Sequence, residues 1–395
     1  MGPLSGIRVI ELGQLIAGPF CTRVLAEFGA EVIKIESPNG GDPLRQWRKL
    51  YEGKSLWWLL QARNKQSVTV NLKATEGQDI VRRLAKSADI VVENFRPGAM
   101  EKWGLGYDEL SRDNPGLVMV RLSGYGQSGP YRDKPGFGAI GEAMGGLRHV
   151  TGYPDRPPVR VGISLGDAVA SLYGVIGALM ALRQREVNGG RGQVIDVALY
   201  EAVFSLMESL LPEYDIYEFV RERSGASLPG IAPSNTYTTR DGKFVVIGAN
   251  GDSIFKRMMI AIGRDDLAND PQLARNDGRA ARSAELDEAI GVWCGARDLD
   301  EVLTVLDSAE VPAGKIYDIA DIVNDVHYRA RGMIEEARLG DGRALKIPGV
   351  VPKLSDTPGG TRWLGPELGE HTGPVLKSIG YEEARIEDMK KRGVV

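Results

Sequence analysis

Short apolar blocks alternate with helical-period segments through the first half of the chain. Ile7–Leu12, Glu31–Glu36, Ser67–Leu72, Asp89–Asn94 and Leu117–Ser123 read as strands. Between them, Phe20–Phe28 and the amphipathic Thr75–Ser87 read as helices. Gly13–Pro19 is a loop, with Pro19 suited to the first turn of the helix that follows, and Gly29-Ala30 ends that helix. A strand, turn, helix and second strand form a βαβ unit, which predicts an α/β fold with a parallel sheet and right-handed crossovers.

The stretch Val159–Leu182 stands out from this rhythm. An extended, partly alternating run, Val159–Ser164, leads through Leu165-Gly166 into Asp167. A long helix follows, with Ala168, Val169, Ala170, Leu172, Val175, Ile176, Ala178, Leu179 and Leu182 apolar on most faces, the pattern of a helix buried all round. Asp167 is expected at or beside its N-cap, where unpaired N–H groups favour a carboxylate. Capping alone is the commoner reading of such an Asp. A carboxylate beside a glycine that admits a ligand is equally placed to act as a nucleophile.

Further on, Gly192–Val197 reads as a strand and Leu199–Leu211 as a helix. The polar, Gly/Pro-containing Pro212–Pro233 then reads as a linker. A hairpin around Asp241-Gly242 opens a second region, followed by helices at Ser253–Ile262, Ser283–Trp293 with Ser283 as N-cap, and Leu299–Ser308. The expected division is a large domain over 1–212, a linker over 213–233, a small α+β domain over 234–317 and a second linker over 318–333. Residues 334–395, with a second hairpin at Asp341-Gly342, return to the large domain.

Composition narrows the function classes. A chain of 395 residues exceeds one ordinary core, so two domains are expected. With 43% hydrophobic and 26% charged residues it has a soluble globular composition. Lys+Arg 49 against Asp+Glu 53 leaves a net charge of -4, which offers no basic field for nucleic acid and no polybasic run for a membrane surface. No stretch reaches the roughly 18 uninterrupted apolar residues of a membrane span, and the chain opens on a strand rather than a signal-like segment, so a cytoplasmic location is expected. Cys21 and Cys294 lie far apart, read as buried thiols of a reducing compartment, and no metal-ligand spacing is present. Gly136-Phe-Gly-Ala-Ile-Gly141 matches a dinucleotide fingerprint, but no strand leads tightly into it and no acidic strand end follows, so nicotinamide binding is rejected.

Several separated pieces then line up: Leu12-Gly-Gln-Leu-Ile-Ala-Gly-Pro19, Gly29-Ala-Glu-Val-Ile-Lys-Ile-Glu36, Asn64-Lys-Gln-Ser67, Val92-Glu-Asn-Phe-Arg-Pro-Gly98, Gly124-Tyr-Gly-Gln-Ser-Gly-Pro130, Leu165-Gly-Asp167, Gly189-Gly-Arg-Gly-Gln193 and Leu364-Gly-Pro-Glu-Leu-Gly-Glu-His-Thr372. In this order they resemble the family III CoA-transferases, the CaiB/BaiF group. The resemblance implies a Rossmann-like large domain built from both chain ends, a small central domain, and a homodimer whose chains interlock. It implies acyl-CoA and a small carboxylic acid as partners, with CoA thioester as co-substrate and no tightly bound cofactor. Asp167 falls on the family's catalytic aspartate. Arg96 and Lys102 fall where basic side chains meet the nucleotide phosphates, and Leu15, Ile16, Ala17, Val70, Lys73, Asn94 and Phe95 where adenosine and pantetheine are lined. Gln14, Arg45, Phe137, Gly138 and Gly166 are candidate lining for the reacting groups.

The chemistry implied is covalent. The ionised Asp167 attacks an acyl-CoA to give a mixed anhydride and CoA thiolate, and the thiolate returns to form an aspartyl-CoA thioester. The acceptor acid then reverses both steps, with Gly166 and helix-start N–H groups as candidate oxyanion donors. Succinyl-CoA with a dicarboxylic acceptor fits the overall pattern, and the long Gly-rich insertion of formyl-CoA transferases is absent. Arg45, Arg48 and Arg63, with Trp47, Trp57 and Trp58, suit either a second carboxylate or a dimer interface. An α-methylacyl-CoA racemase of the same fold is the alternative, but Phe137 and Gly138 stand where racemases carry a His and an Asp, and His149, His327 and His371 lie elsewhere. The Gly138 position often carries an acid in transferases too. One subunit of a heteromeric transferase is the remaining reading.

Overall fold

The computed structural model describes residues 2–395, which fall into two compact units. One holds the residues up to 148 together with 161–218 and 329–395, and the other holds 149–160 and 219–328. Residues 149–160, inside the continuous large-domain range expected from sequence, thus group with the second unit.

The first unit is built on six parallel strands: β1 (Arg8–Glu11), β2 (Glu31–Glu36), β3 (Lys65–Thr69), β4 (Ile90–Glu93), β5 (Val118–Ser123) and β6 (Val194–Ala198). Their order across the sheet is β3-β2-β1-β4-β5-β6, the doubly wound order whose direction reverses between β1 and β4. The six strand blocks read from sequence for this sheet are all present, Glu31–Glu36 with the same ends and the others with ends shifted by up to three residues. Successive residues serve opposite faces. Val9, Val32, Ile90, Val92, Val118 and Val120 pack with helices α1 (Ala17–Glu27) and α4 (Leu165–Val187). Ile10, Ile33, Val91 and Met119 pack with α2 (Thr75–Ala85) and with the helices at Thr372–Ser378 and Glu383–Lys391. Both faces are covered, which is why these strands read as nearly continuous apolar runs.

Residues from the far end of the chain also cover the edge strand. His371 N–H donates to the Ser67 carbonyl at 2.9 Å, Thr69 N–H donates to Thr372 Oγ1 at 3.0 Å, and Asn71 N–H donates to the Val394 carbonyl at 2.8 Å.

α4 departs from expectation in three ways. Val159–Ser164 forms no strand. The N-cap is Ser164, so Asp167 is the third residue of the helix, in its first turn. Finally, α4 is not buried all round: Ala170, Ser171, Gly174, Ala178 and Ala181 face the sheet, whereas Leu172, Tyr173, Ile176, Leu179 and Met180 are exposed. The inner face is made of small residues because the sheet is close. A β-carbon on Gly174 would lie 3.3 Å from Val120 Cγ1 of β5, and one on Gly177 only 2.7 Å from Ile195 of β6. By length and composition α4 could cross a membrane, yet here its inner face packs as a core helix. Two shorter helices matter for the site, α3 (Gly138–Met144) before α4 and α5 (Leu199–Phe204) after β6. The single helix expected over Leu199–Leu211 breaks after α5 and restarts at Leu210–Tyr217, with Glu208 in left-handed backbone (φ 44°) between them.

The second unit has an antiparallel sheet in which Phe244–Gly248 lies between Ser234–Thr238 and Ala313–Lys315. Its first hairpin turns at Asp241-Gly242 as expected, with Gly242 at φ 72°. Val245, Ile247, Phe255, Met258, Leu286, Ile290 and Leu306 form its core against helices Asp252–Ala261, Ser283–Gly295 and Leu299–Ser308. Arg282 is the cap residue of the second of these, so Ser283 is its first helical residue rather than its N-cap.

Candidate active site

In a doubly wound sheet, ligands bind beyond the strand C-termini where the strand order reverses. Here that point lies between β1 and β4, and the loops leaving these strands are tied together. Gln14 N–H donates to Asn94 Oδ1 at 2.8 Å, and Asn94 Nδ2 donates to the Gln14 carbonyl at 2.9 Å. Phe95 and Arg96 follow directly, Arg96 exposed and Phe95 edge-on to Trp103 at 5.1 Å.

The β1–α1 loop and the first turn of α1 are pinned from beneath almost residue by residue. Lys34 Nζ donates to the Gly13 carbonyl (2.8 Å), both Asp42 oxygens accept the Leu15 N–H (3.1 Å each), Gln61 Nε2 donates to the Ile16 carbonyl (3.1 Å) and Lys65 Nζ to the Pro19 carbonyl (2.7 Å). Leu15 sits at φ 63°, a left-handed conformation unusual for a branched residue and held there by Asp42.

Those pins belong to one buried charge network. Glu11 and Lys65 are 0% exposed, Lys34 and Asp42 1%. Glu11 accepts from Lys34 (2.6 Å), Lys65 (2.8 Å) and Thr22 Oγ1 (2.6 Å), and Lys34 also meets Asp42 at 2.9 Å. Burial works against ionising the Glu11 and Asp42 carboxyls, but the ammonium groups outweigh it and hold both below the usual carboxylate range. Burial lowers the Lys65 ammonium to about 8, while Lys34, facing Asp42, Glu11 and Glu36 together, is pushed up despite its burial.

The first turn of α1 reaches α4. Ser171 Oγ, one turn beyond Asp167, lies 2.7 Å from the Ala17 carbonyl and 2.6 Å from the Asp167 carbonyl. Asp167 is half-buried. Its carboxylate rests on the backbone of Gly138: a β-carbon there would lie 2.0 Å from Asp167 Oδ2 and 2.7 Å from Cγ. One turn along α3, the buried Glu142 accepts the Gly166 N–H through Oε1 at 3.4 Å, and its Oε2 lies 3.3 Å from Arg148 Nε. That N–H, a candidate oxyanion donor from sequence, is therefore engaged by Glu142.

The structure thus links Gln14, Leu15, Ile16, Ala17, Asn94, Asp167, Gly166 and Gly138 through direct contacts. Phe137 is exposed beside Gly138, Lys102 is exposed on the short helix after Arg96, and Lys73 is exposed after β3. Two expectations change. Val70 is 1% exposed and packed in the sheet core, so its side chain does not line a ligand groove. Arg45 is spent on structure: it forms a two-point pair with Glu36 (2.8 and 2.7 Å), donates to the Pro366 carbonyl, and stacks 3.7 Å above Trp58. Arg63 is likewise buried against Glu27 and the Pro348 carbonyl, while Arg48 stays exposed. Glu11, Lys34, Asp42, Lys65, Ser171 and Glu142 escaped the sequence reading. Glu11 and Lys34 had the signal of a charge inside an apolar block, as in Glu31-Val-Ile-Lys34-Ile-Glu36; the others had none. Among the described residues, no group of three or more His, Cys, Asp or Glu side chains is arranged to hold a metal ion.

The pattern of CoA-transferase family III matches residues 4–372. The chain is 51% identical to the succinyl-CoA–D-citramalate CoA-transferase of Chloroflexus aurantiacus, over 100% of this chain and 98% of that one. It is 46% identical to the beta subunit of the succinyl-CoA–L-malate CoA-transferase of the same organism, again over 100% and 98%. A crystal structure of a CaiB/BaiF family protein from Brucella suis matches it with a TM-score of 0.83 at 33% identity, covering 96% of this chain and 99% of that one. On these matches and this fold, the chain belongs to CoA-transferase family III, the CaiB/BaiF group, and is a CoA-transferase with CoA thioesters as co-substrates.

Proposed function

We propose that this enzyme moves CoA from succinyl-CoA to a small dicarboxylic acid bearing a 2-hydroxyl, with Asp167 as carrier. The observation that carries the reading is the placement of Asp167. It is a half-buried carboxylate in the first turn of α4, joined through Ser171 to the loop at the strand-reversal point. The substrate class follows the relatives, which are named for succinyl-CoA with D-citramalate or L-malate.

In this mechanism an Asp167 oxygen attacks the thioester carbonyl of succinyl-CoA. The C–S bond breaks, leaving a succinyl-aspartyl anhydride and CoA thiolate. The thiolate attacks the aspartyl carbonyl and releases succinate, which leaves an aspartyl-CoA thioester. The acceptor carboxylate attacks that carbonyl, and the returning thiolate attacks the acceptor side of the new anhydride. Acceptor-CoA leaves and the Asp167 carboxylate is restored. One thioester is exchanged for another, so the sequence needs no nucleotide triphosphate, metal or tightly bound cofactor. Exclusion of water protects both acyl intermediates.

Gln14, Leu15, Ile16, Ala17, Asn94 and Phe95 would line the CoA arm, with Arg96, Lys102 and Lys73 supplying exposed positive charge for its phosphates. The exposed apolar face of α4 and the exposed Leu211, Tyr214, Ile216 and Tyr217 support burial in a dimer of interlocked chains. The relatives named as alpha and beta subunits support a second reading in which the partner is a related chain. A cytoplasmic setting, away from membrane and nucleic acid, completes the proposal.

The test is mass spectrometry of the protein mixed with succinyl-CoA. A CoA adduct, or its borohydride-reduced product, is expected on Asp167, together with transfer to citramalate or malate by the chain purified alone. Normal turnover by Asp167→Ala would end the reading.

A further inference from the structure

Gly138 and Glu142 lie four residues apart on α3 and so share one face of that helix. Both meet the first turn of α4. At Gly138 the three atoms nearest an added β-carbon are all in the Asp167 side chain, at 2.0, 2.7 and 3.2 Å. At Glu142 the buried carboxylate takes the N–H of Gly166, the residue before Asp167. The packing is mutual, since a β-carbon on Gly166 would lie 3.1 Å from Glu142 Cγ and 3.2 Å from the Gly138 carbonyl oxygen.

We propose that Gly138 and Glu142 are positioning residues for Asp167. Where other transferases often carry an acid at this position, Gly138 of this chain leaves its volume to the Asp167 carboxylate, and Glu142 fixes the backbone from which that carboxylate springs. The inference rests on Asp167 being the nucleophile. Attack on a thioester needs the carboxylate oxygen aligned with the carbonyl, and a displacement of about 1 Å can cost on the order of 100-fold in rate.

Gly138 is the clean place to test it. It is not among the glycines with left-handed backbone and is the first residue of α3, so alanine is tolerated by the main chain. What Gly138→Ala must move is the Asp167 carboxylate. The expected result is a fall in kcat of about 100-fold, KM for succinyl-CoA within about threefold of the parent, and an unchanged melting temperature. Formation of the Asp167 adduct, followed by rapid-quench mass spectrometry, slows in step with kcat. Glu142→Ala lowers kcat in the same way, and Glu142→Gln, which keeps an oxygen for the Gly166 N–H, restores most of it. Gly138→Ala turning over and forming adduct at the parental rate overturns the positioning role while leaving the nucleophile in place. Absence of any adduct in the parent enzyme overturns the reading of Asp167 itself. Should Glu142→Ala melt early, Gly138→Ala decides the outcome alone.

Discussion

Glu11→Gln is the substitution that most directly probes how the β1–α1 loop is held. The side chain keeps its shape but loses its charge at a site of 0% exposure. Lys34 retains Asp42 at 2.9 Å, whereas Lys65 is left with only the Pro19 carbonyl. Breaking a buried pair by removing one partner costs about 3–5 kcal/mol. The cost is capped, because Lys65 can escape by releasing its proton. From its folded-state value of about 8, neutralising the amine at pH 7 costs only about 1.4 kcal/mol at 1.36 kcal/mol per unit, so the loss through Lys65 falls below that range. At roughly 2–4 °C per kcal/mol, the midpoint of thermal unfolding should fall by about 3–6 °C at pH 7.

The pH dependence gives a sharper signature. A lysine whose folded-state value is depressed binds fewer protons folded than unfolded between that value and 10.5, so it adds stability as pH rises through the window. For the parent the window opens at about 8, and for Glu11→Gln it opens lower. The deficit of the variant therefore shrinks as pH rises towards about 8, where the parent's amine also becomes neutral, and is level above it. Melting curves by circular dichroism at a series of pH values measure this, with KM for succinyl-CoA expected to rise as the Pro19 and Gly13 pins loosen. Equal midpoints at pH 7, or a deficit independent of pH, would refute the reasoning.

At acid pH the parent should lose stability as pH falls through the ordinary carboxylate range, because Glu11 and Asp42 are held below it when folded; urea titrations from pH 6 to pH 3 should show a steeper loss for the parent than for Glu11→Gln. Ser171→Ala removes the hydroxyl between Ala17 and Asp167, and a loss of about 1–3 kcal/mol for the unpaired carbonyl should appear as weaker succinyl-CoA binding and slower adduct formation in pre-steady-state assays. Leu179→Glu on the exposed face of α4 should convert a dimer to monomer in light scattering, and an unchanged mass would place the interface elsewhere.

The sheet was legible because both its faces are covered, so most strands carry short apolar runs that need no knowledge of their neighbours, as in Val9-Ile10 and Ile90-Val-Val92. α4 was legible as a helix but not in its surroundings. Leu172, Ile176 and Leu179 carry the same apolar signature whether they meet this sheet or another surface, and periodicity does not separate the two. Asp167 emerged through the resemblance; the local pattern offered only a helix-start carboxylate. Arg45 and Val70 show what a matched motif omits. The first is claimed by Glu36, nine residues earlier, and the second packs in the core with Ile35, Val68 and Ile80. Lys34 and Lys65 look like solvated strand charges until the register sets Glu11 opposite Lys34 and Val32 opposite Lys65.

The cover over β3 has a consequence for biosynthesis. Ser67 and Thr69 are made some three hundred residues before His371 and Thr372, the groups that satisfy them (sequence separations of 304 and 303). Throughout elongation on the ribosome, the nascent sheet therefore presents an open hydrogen-bonding edge to other chains. Starvation for a late codon or premature termination would leave a sticky intermediate, so this protein should depend on chaperone capture more than its finished form suggests.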